Sequence, residues 1–501
     1  MGFLSSLFGK RVPDSERVMN EAIGLAQQGE VVEAVSMMKQ CVAEVRENCG
    51  DVSDKHAQAL FHFGTLLCST GDLDQGAELC RQAADACPDS TSGKKERLTY
   101  LMNVGQMLSH AGKPEQAVPV LQDSLAERIA FYGSGHAGVA YGQQVLAESL
   151  LASGQYAQGL EHAQAAVEIF ESEQHHEFPG TFALQAALAS AAGHTTESIW
   201  QGLADYPEDI VVEVIQHSST TASLMADRLG LVYMEQLCEW CEKYMPEQTA
   251  LLVNTVVSWS NLAFERVDLE SLTKSADILT SLIDKLPDPA DRIQLMQGTA
   301  LSYSRCERSD DDIRRIYERA ASEATENSLP LEAANVARNH AIFEAEHDGV
   351  EAALAQYDLA IDCSQQAGAE GAELLGRTLV AKGIFLQHQD RPNEAKPLLE
   401  QGHSILPATH PDGACGVLHL VALENGMNCC CNGGEGLERE SLSLLAKKFF
   451  EESGLGDVLE SVGIGEDGGL QVHMSREPTA DEMERLQVAH GVFMQQLSTI
   501  G

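Results

Sequence analysis

The stretch LFHFGTLLCSTGDLDQGAELCRQAADACP, residues 60–88, decides the fold. Two apolar-periodic segments flank a turn at Gly71 and Asp72, and Pro88 closes the second segment. Small residues such as Gly64 fall where two helices that cross closely leave no room for a larger side chain. Proline cannot continue a helix, so it ends the second one. The stretch therefore predicts two amphipathic helices joined by a tight turn.

The same layout recurs along the first third of the chain. Turn glycines follow one another at intervals of about 42 residues, which is the mark of an internal repeat. These turn positions are Gly29, Gly71, Gly112 and Gly154. A small residue precedes each of the last three turns, namely Gly64, Gly105 and Ala147, and we expect it at the crossing of the two helices. Because each unit buries its apolar face only against its neighbours, this repetition predicts a solenoid.

These units resemble tetratricopeptide repeats, which have a small residue in the first helix, a Gly-Asp type of turn, alanines in the second helix and a closing proline. The long period is similar to that of the kinesin light chain variety, and this resemblance implies no motor partner. Later units repeat the pattern. Their repeat positions are Trp259, Leu262, Ala263, Ala341, Ala353, Gly383 and Ala395.

The resemblance implies an all-α fold, a right-handed α-solenoid of helical hairpins with a small C-terminal α+β cap. In the cap, DVLESVGIGEDGGLQVHM is typical of two short strands around a turn, and Thr479 with Glu482 predicts a capping box before a last helix. The expected segments are an N-terminal segment 1–13, a first repeat array 14–175, an irregular helical region 176–255, a second array 256–405, a degenerate terminal repeat with a cysteine-rich loop 406–455, and the cap 456–501.

The charge of the chain limits its partners. It has 75 acidic and 33 basic residues among 501, a formal net charge of −42. Nucleic acid and anionic lipid surfaces are therefore poor partners, whereas a basic protein or peptide would be attracted. The open alternative is that the acidity only keeps a large surface soluble.

Composition also bears on the compartment. No stretch approaches the eighteen or so apolar residues of a membrane span, and the first residues lack a secretory signal. Thirteen cysteines at irregular spacing favour a reducing cytoplasm over a disulfide framework. Gly2 and Ser6 match a myristoylation signal, and the apolar start MGFLSSLFGK has the character of a short interfacial helix. Either feature binds a membrane only weakly.

The run GMNCCCNGGEG, residues 426–436, raises the question of a metal site. Its candidate ligands are Cys429, Cys430 and Cys431, with Cys415 and His419 on one face of the preceding helix. Ten helical residues rise about 15 Å, whereas zinc ligands meet within about 2.3 Å of the ion. We therefore favour an incidental surface loop over a metal site or a reactive thiol, and we expect no cofactor.

No catalytic motif is present, so we expect no enzymatic activity. Cys238 and Cys241 have the spacing of a redox pair but lie in helical sequence, which favours two buried thiols. The repeat fold favours a scaffold that binds a partner segment in a concave groove lined by the first helix of each unit. The alternatives are a peptide-responsive regulator whose two arrays close about a hinge, and a chemical role for the tail or the cysteine loop.

Overall fold

The computed structural model describes residues 14–27, 30–194, 196–306, 308–347, 349–406, 410–424, 439–464, 470–476 and 478–498. The chain divides into two compact units, Met1–Ser271 and Leu272–Gly501. Helices make up nearly all of the regular structure in both, which confirms the expected all-α class.

In the first unit the helices follow one another through short turns. They are α1 (Ser15–Gln27), α2 (Val31–Cys49), α3 (Asp54–Ser69), α4 (Leu73–Asp85), α5 (Thr91–His110), α6 (Pro114–Tyr132), α7 (Ala137–Ala152), α8 (Tyr156–Ser172), α9 (Phe178–Ala191), α10 (Glu197–Leu203), α11 (Glu208–Leu224), α12 (Asp227–Tyr244) and α13 (Thr249–Glu265). Each helix from α1 to α8 packs against the next one along the chain, so these helices form a solenoid of hairpins. The short α10 lets α9 pack directly against α11.

The second unit continues the layout after α14, which spans the division between the units. Its elements are α14 (Leu269–Leu282), a short 3-10 turn (Ile283–Lys285), α15 (Pro289–Ser304), α16 (Asp310–Glu326), α17 (Pro330–Glu346), α18 (Val350–Gln366), α19 (Ala372–His388), α20 (Pro392–Ile405), α21 (Pro411–Glu424), α22 (Arg439–Phe450), a π-helical turn (Glu451–Leu455), β1 (Leu459–Ile464), β2 (Leu470–Met474) and α23 (Ala480–Ser498). Helices α15 to α20 pack as three hairpins in chain order.

The end of the second unit has a core of its own. Strands β1 and β2 pair antiparallel, with Val462 opposite Val472. The ring of Phe493 on α23 stacks on Phe449 of α22 with centroids 6.0 Å apart. The predicted capping box is confirmed: the Thr479 amide donates to Glu482 Oε2 at 2.8 Å, and the Glu482 amide donates to Thr479 Oγ1 at 3.3 Å. Within the described residues, strand is confined to this C-terminal end, as expected.

The turns between paired helices need one residue in the left-handed region. Gly71, Gly112 and Gly154 supply it with φ of 97°, 71° and 76°. The turn after α13 instead has Val267 at φ 55°, with 78% of its surface exposed. A left-handed conformation costs a residue that carries a Cβ about 1–2 kcal/mol, and β-branching makes it harder to adopt. The backbone of Val267 is therefore strained, and because the side chain is mostly exposed, its burial offsets little of this strain.

Replacing Val267 with glycine is expected to stabilise the protein by about 1 kcal/mol, because glycine adopts this conformation without a steric cost. Thermal unfolding followed by circular dichroism should show a higher midpoint for Val267→Gly. The reverse change at the matching turn, Gly112→Val, should lower it. A midpoint that falls in Val267→Gly would mean that the valine side chain contributes more than its backbone strain costs.

Candidate peptide-binding site

One face of each unit is marked by contacts between alternate helices. In the first unit each odd-numbered helix from α1 to α13 contacts the next odd-numbered helix, and in the second unit α15, α17, α19 and α21 do the same. Successive even-numbered helices make almost no contact with one another within the described residues. Helices that approach their counterparts in neighbouring hairpins lie on the tighter, inner side of a curved array. The odd-numbered helices therefore line the inner face of each unit.

The accessible residues of α3, α5 and α7 on this face repeat at helical spacing, and we call them the inner stripe. They are Gln58, His62, Thr65, Thr99, Asn103, Gln106, Tyr141, Gln144 and Glu148. Most of these side chains are neutral amides or hydroxyls. Glu148 is the one charged residue in the sequence of α7. The inner stripe is therefore polar with little charge.

Several inner-stripe groups are already held by hydrogen bonds. Asn103 Nδ2 donates to the Thr99 carbonyl at 2.9 Å, and Thr65 Oγ1 donates to the Phe61 carbonyl at 3.0 Å. Gln58 and Gln106 have no side-chain hydrogen bond within the described part of the chain. The oriented Asn103 oxygen and the two unpaired amides are thus available to a ligand.

Glu148 sits in an unusual electrostatic setting. The residue is accessible from the inner face, but the surrounding protein partly desolvates its carboxylate, and this desolvation raises its pKa to about 6. The negative charge of Glu177 adds to the increase, whereas the hydrogen bond from Gln144 Nε2, at 3.3 Å, opposes it. Tyr141 donates to Glu177 Oε1 at 2.8 Å. No described Lys or Arg pairs with Glu148.

Because of this raised pKa, ionised Glu148 is expected to lower the stability of the folded protein at high pH. In the unfolded chain a glutamate ionises near pH 4.5, so folding binds a proton between pH 4.5 and about 6. Stability is therefore lost as pH rises through this window. Glu148→Gln should raise the thermal midpoint at pH 8, and the difference from wild type should vanish below pH 4.5.

The matched control for that change lies on an outer helix. Gln164 and Glu168 of α8 form the same i,i+4 pair, with the amide 3.5 Å from the carboxylate. Glu168→Gln should leave the pH profile of the thermal midpoint unchanged. If both variants raise the thermal midpoint equally at pH 8, the cause is the removal of one negative charge from an acidic protein. Desolvation of Glu148 would then not be the cause.

A cleft of about 420 Å³ extends the inner face between α11 and α13. Its polar lining comes from Gln216, Ser219, Asn254 and Ser258, and Leu251 contributes apolar surface. No charged side chain lines it. The cleft thus has the same neutral, amide-rich chemistry as the inner stripe.

The inner face of the second unit also has paired amide and imidazole groups. Asn339 Nδ2 on α17 donates to Gln297 Oε1 on α15 at 2.7 Å. His419 Nδ1 on α21 lies 2.8 Å from Gln387 Oε1 on α19. These contacts join successive inner helices.

The acidic residues of the first unit lie mainly away from the inner stripe. The outer helix α8 has Glu161, Glu168 and Glu171 but no lysine or arginine. The outer helix α4 has three carboxylates against one arginine. In this part of the unit the negative charge lies mainly on the even-numbered helices, which a linear charge count does not reveal.

The repeat positions identified in the sequence lie in the core or in turns. Gly64 approaches Gly76 and Cys80 across the α3–α4 hairpin, and Gly105 approaches Leu121 of α6. Gly383 approaches Leu399 of α20. The remaining helical repeat positions are all buried, namely Ala147, Trp259, Leu262, Ala263, Ala341, Ala353 and Ala395. None of them belongs to the inner stripe; they hold the helices of the hairpins together.

The candidate metal ligands are not brought together by the described residues. His419 is fully buried, and Cys415 packs beside the core formed by α21, α22 and α23. Cys429, Cys430 and Cys431 lie outside the described residues. Within the described part of the chain no group of three or more His, Cys, Asp or Glu residues has the geometry of a metal site.

The thiols of Cys238 and Cys241 are buried on α12. Burial raises the pKa of the Cys238 thiol well above its ordinary value and that of Cys241 to about 12. Both are therefore protonated at neutral pH, which suits two buried apolar groups and not a reactive pair.

Comparison with known proteins places part of this solenoid in a family. The family model described as tetratricopeptide repeat matches residues 96–172, which cover most of α5 through α8. No curated protein sequence matches the chain. None of the described helices combines the length and apolar character that a membrane span requires.

Several solved structures are similar to the chain at low identity. The TPR-like repeats of a putative kinesin light chain from Podosopora anserina are 18% identical over 41% of this chain and 95% of that chain, with a TM-score of 0.33. Yeast Tom70 is 16% identical over 96% of each chain, with a TM-score of 0.33. The apo form of RapI is 11% identical over 70% of this chain and 98% of that chain, with a TM-score of 0.31.

The family match covers the α5–α6 and α7–α8 hairpins, which contribute two of the three helices of the inner stripe. The same order of paired helices, with small residues at their crossings, continues in the second unit. The chain therefore contains tetratricopeptide repeats, which the family model matches at residues 96–172.

Proposed function

We propose that the protein is a non-enzymatic scaffold that binds a segment of a partner protein along the inner stripe of its first unit. The observation that carries this proposal is the chemistry of the inner stripe, where neutral amides and hydroxyls repeat on three successive inner helices. A side-chain amide has a donor and an acceptor in one plane, and a peptide backbone offers the same two groups. Such a surface suits an extended peptide more than a small charged ligand.

The geometry of α5 supports a backbone-directed contact. Since Asn103 Nδ2 is bonded to the Thr99 carbonyl, the side-chain amide is oriented and its oxygen is left to accept from a ligand N–H. Gln106 lies one turn further along the same face. The two amides thus repeat along the helix in the direction in which a bound segment would run.

The test uses the full-length chain and a random peptide library displayed on phage. Peptides that the wild type selects are labelled, and their dissociation constants are measured by fluorescence anisotropy. Each lost hydrogen bond contributes about 0.5–1.5 kcal/mol, so Asn103→Ala combined with Gln106→Ala should weaken binding about tenfold or more. The matched control removes two exposed amides from the outer helix of the same hairpin, Gln116→Ala with Gln122→Ala, and should leave the affinity unchanged.

Three results would contradict the proposal. The first is that the wild type selects no peptide that binds in solution. The second is that the inner variant binds the selected peptides as tightly as wild type, and the third is that the outer control loses binding equally. The thermal midpoints of both variants are measured beside the affinities. An inner variant that unfolds at the wild-type temperature and still binds tenfold more weakly is the expected result.

A basic partner segment remains part of the proposal. The net charge of −42 supports attraction at long range, although the inner stripe itself has little charge. Selected peptides should therefore be enriched in lysine and arginine, and their association rates should fall as salt rises between about 20 and 500 mM. The same charge supports the exclusion of nucleic acid, and a cytoplasmic location is proposed with it.

The division of the chain into two compact units favours a second candidate, a peptide-responsive regulator whose two arrays close about a hinge. Solution scattering of the full chain with and without a selected peptide distinguishes the two. A smaller radius of gyration with peptide supports the regulator, and an unchanged one supports the simple scaffold.

A further inference from the structure

An arginine on the inner face of the second unit has no partner among the described residues. Arg338 lies on α17, three residues before the repeat position Ala341, and its side chain is half-buried. Its Nε is buried without a hydrogen-bond partner, and no described carboxylate forms an ion pair with it. Burial lowers the pKa of the guanidinium. A cation that is withdrawn from water without a partner costs free energy, so this one is available to an anionic ligand.

The neighbouring residue indicates the direction in which Arg338 points. Asn339 Nδ2 donates to Gln297 Oε1, so Asn339 faces α15. Successive residues of a helix are about 100° apart around its axis, and Ala337 and Ala341 turn towards the core of the hairpin. Arg338 therefore lies on the side of the inner face that is directed towards α19, the next inner helix.

The next inner helix brings a second arginine to the same place. Arg377 of α19 lies close enough for its like charge to add, after burial, to the lowered pKa of Arg338, whereas the charge of Asp412 opposes this decrease. Asp412 is itself bound by Arg377, whose Nε donates to Asp412 Oδ2 at 2.7 Å. Glu373 lies 4.0 Å from Arg377 Nη1. Arg377 thus has two carboxylates beside it, while Arg338 is in contact with none that the structure describes.

The charges of this cluster favour a ligand with one negative charge. Arg338 and Arg377 contribute two positive charges, and Asp412 and Glu373 contribute two negative charges. A carboxylate can bind the planar guanidinium of Arg338 through both of its oxygens. A phosphate has nearly twice the charge and would be repelled more strongly by Asp412 and Glu373. The cluster is therefore better matched to a carboxylate than to a phosphate.

Apolar surface lies one turn away on the same inner face. Leu301 follows Gln297 by one turn of α15 and has 57% of its surface exposed. Ile342 follows Arg338 by one turn of α17 and is half-buried. We propose that the inner face of the second unit binds a partner segment through an aspartate or glutamate side chain, with its carboxylate on Arg338 and Arg377 and an apolar neighbour against Ile342. One carboxylate is compatible with a segment whose net charge is positive. The inference concerns the second unit and is independent of binding at the inner stripe.

The test uses the full-length chain and a phage library in which a glutamate is fixed at the centre of a random segment. Selected peptides are synthesised with amidated C termini, and their dissociation constants are measured by fluorescence anisotropy. Peptides with glutamine in place of the fixed glutamate should bind about tenfold more weakly, since a charge-assisted hydrogen bond is lost. Arg338→Gln should weaken binding as much, and it should bind the glutamate and glutamine peptides equally. Without peptide, Arg338→Met should raise the thermal midpoint, because it removes an unpaired cation and keeps most of the packing.

Two control variants should bind the glutamate peptides as wild type does. Arg315→Gln removes an exposed arginine from the outer helix α16, and Asn103→Ala with Gln106→Ala changes only the inner stripe of the first unit. The proposal is overturned if no selected peptide binds, if the glutamine peptides or Arg338→Gln show undiminished affinity, or if either control loses binding equally. It is also overturned if binding requires a free C-terminal carboxylate, if phosphoserine in place of the glutamate binds more tightly, or if Arg338→Met lowers the thermal midpoint.

Discussion

Replacing Gly64 with leucine is expected to destabilise the first unit by about 3 kcal/mol, the upper part of the range for overpacked cores. A Cβ at this position would lie 2.7 Å from the Gly76 carbonyl oxygen and 2.6 Å from Cys80 Sγ. The same holds in reverse, since a Cβ on Gly76 would lie 2.7 Å from the Gly64 carbonyl oxygen. Two helix backbones touch here, and a backbone cannot rotate away as a side chain can.

The measurement is thermal unfolding of the full chain, with hydrogen exchange over residues 54–85 to locate the effect. Gly24 of α1 is the control, because a Cβ there meets nothing within 4 Å. Gly24→Ala should stabilise the helix by about 0.5–1 kcal/mol. An unchanged midpoint for Gly64→Leu would show that α3 and α4 are not held at this distance in solution.

Arg128→Ala has the second large expected effect, a loss of about 3 kcal/mol. The Arg128 side chain is 6% exposed, and its terminal nitrogens donate to the Gly138 and Leu98 carbonyls, each at 2.9 Å. It thus joins α6 to both neighbouring inner helices. Burial lowers the pKa of its guanidinium. Truncation would remove the packing of the aliphatic stem and leave two carbonyls without these donors, and both effects destabilise.

Two companion variants separate these contributions. Arg128→Met keeps most of the packing but none of the hydrogen-bond donors. Its loss of stability should therefore lie between zero and that of Arg128→Ala. Arg81→Ala removes an exposed arginine from α4 and should stay within about 0.5 kcal/mol of wild type. A midpoint for Arg128→Ala equal to that of Arg81→Ala would contradict a joining role.

Individual residues show which features of the structure can be predicted from local sequence and which cannot. Turn geometry at Gly71 and the capping box at Thr479 follow from a few neighbouring residues, and both appear in the structure. The turn at Val267 does not follow, because a β-branched residue stands there in the left-handed conformation that favours glycine. The role of Arg128 does not follow from local pattern either. Its partners lie on two other helices, and one arginine in an amphipathic helix has no distinctive pattern.

The candidate site was predictable only in outline. The repeat frame predicts that first helices line a groove, but it does not identify the residues that line it. It does not predict that the groove is nearly uncharged while carboxylates gather on α4 and α8. Composition sums charge over the chain, whereas the field at a site depends on which helix faces which side.

The sequence by itself determined the helical hairpins, the turn positions and the small residues at the crossings, because these depend on helical periodicity and on backbone conformations that few residues adopt. Only the tertiary structure decided on which side of the first unit the carboxylates lie and how the surroundings of Glu148 raise its pKa. Those properties arise where residues distant in the chain meet. Burial and the distances between charges determine the energies of the ionisable groups, and neither quantity follows from the spacing of residues along one helix.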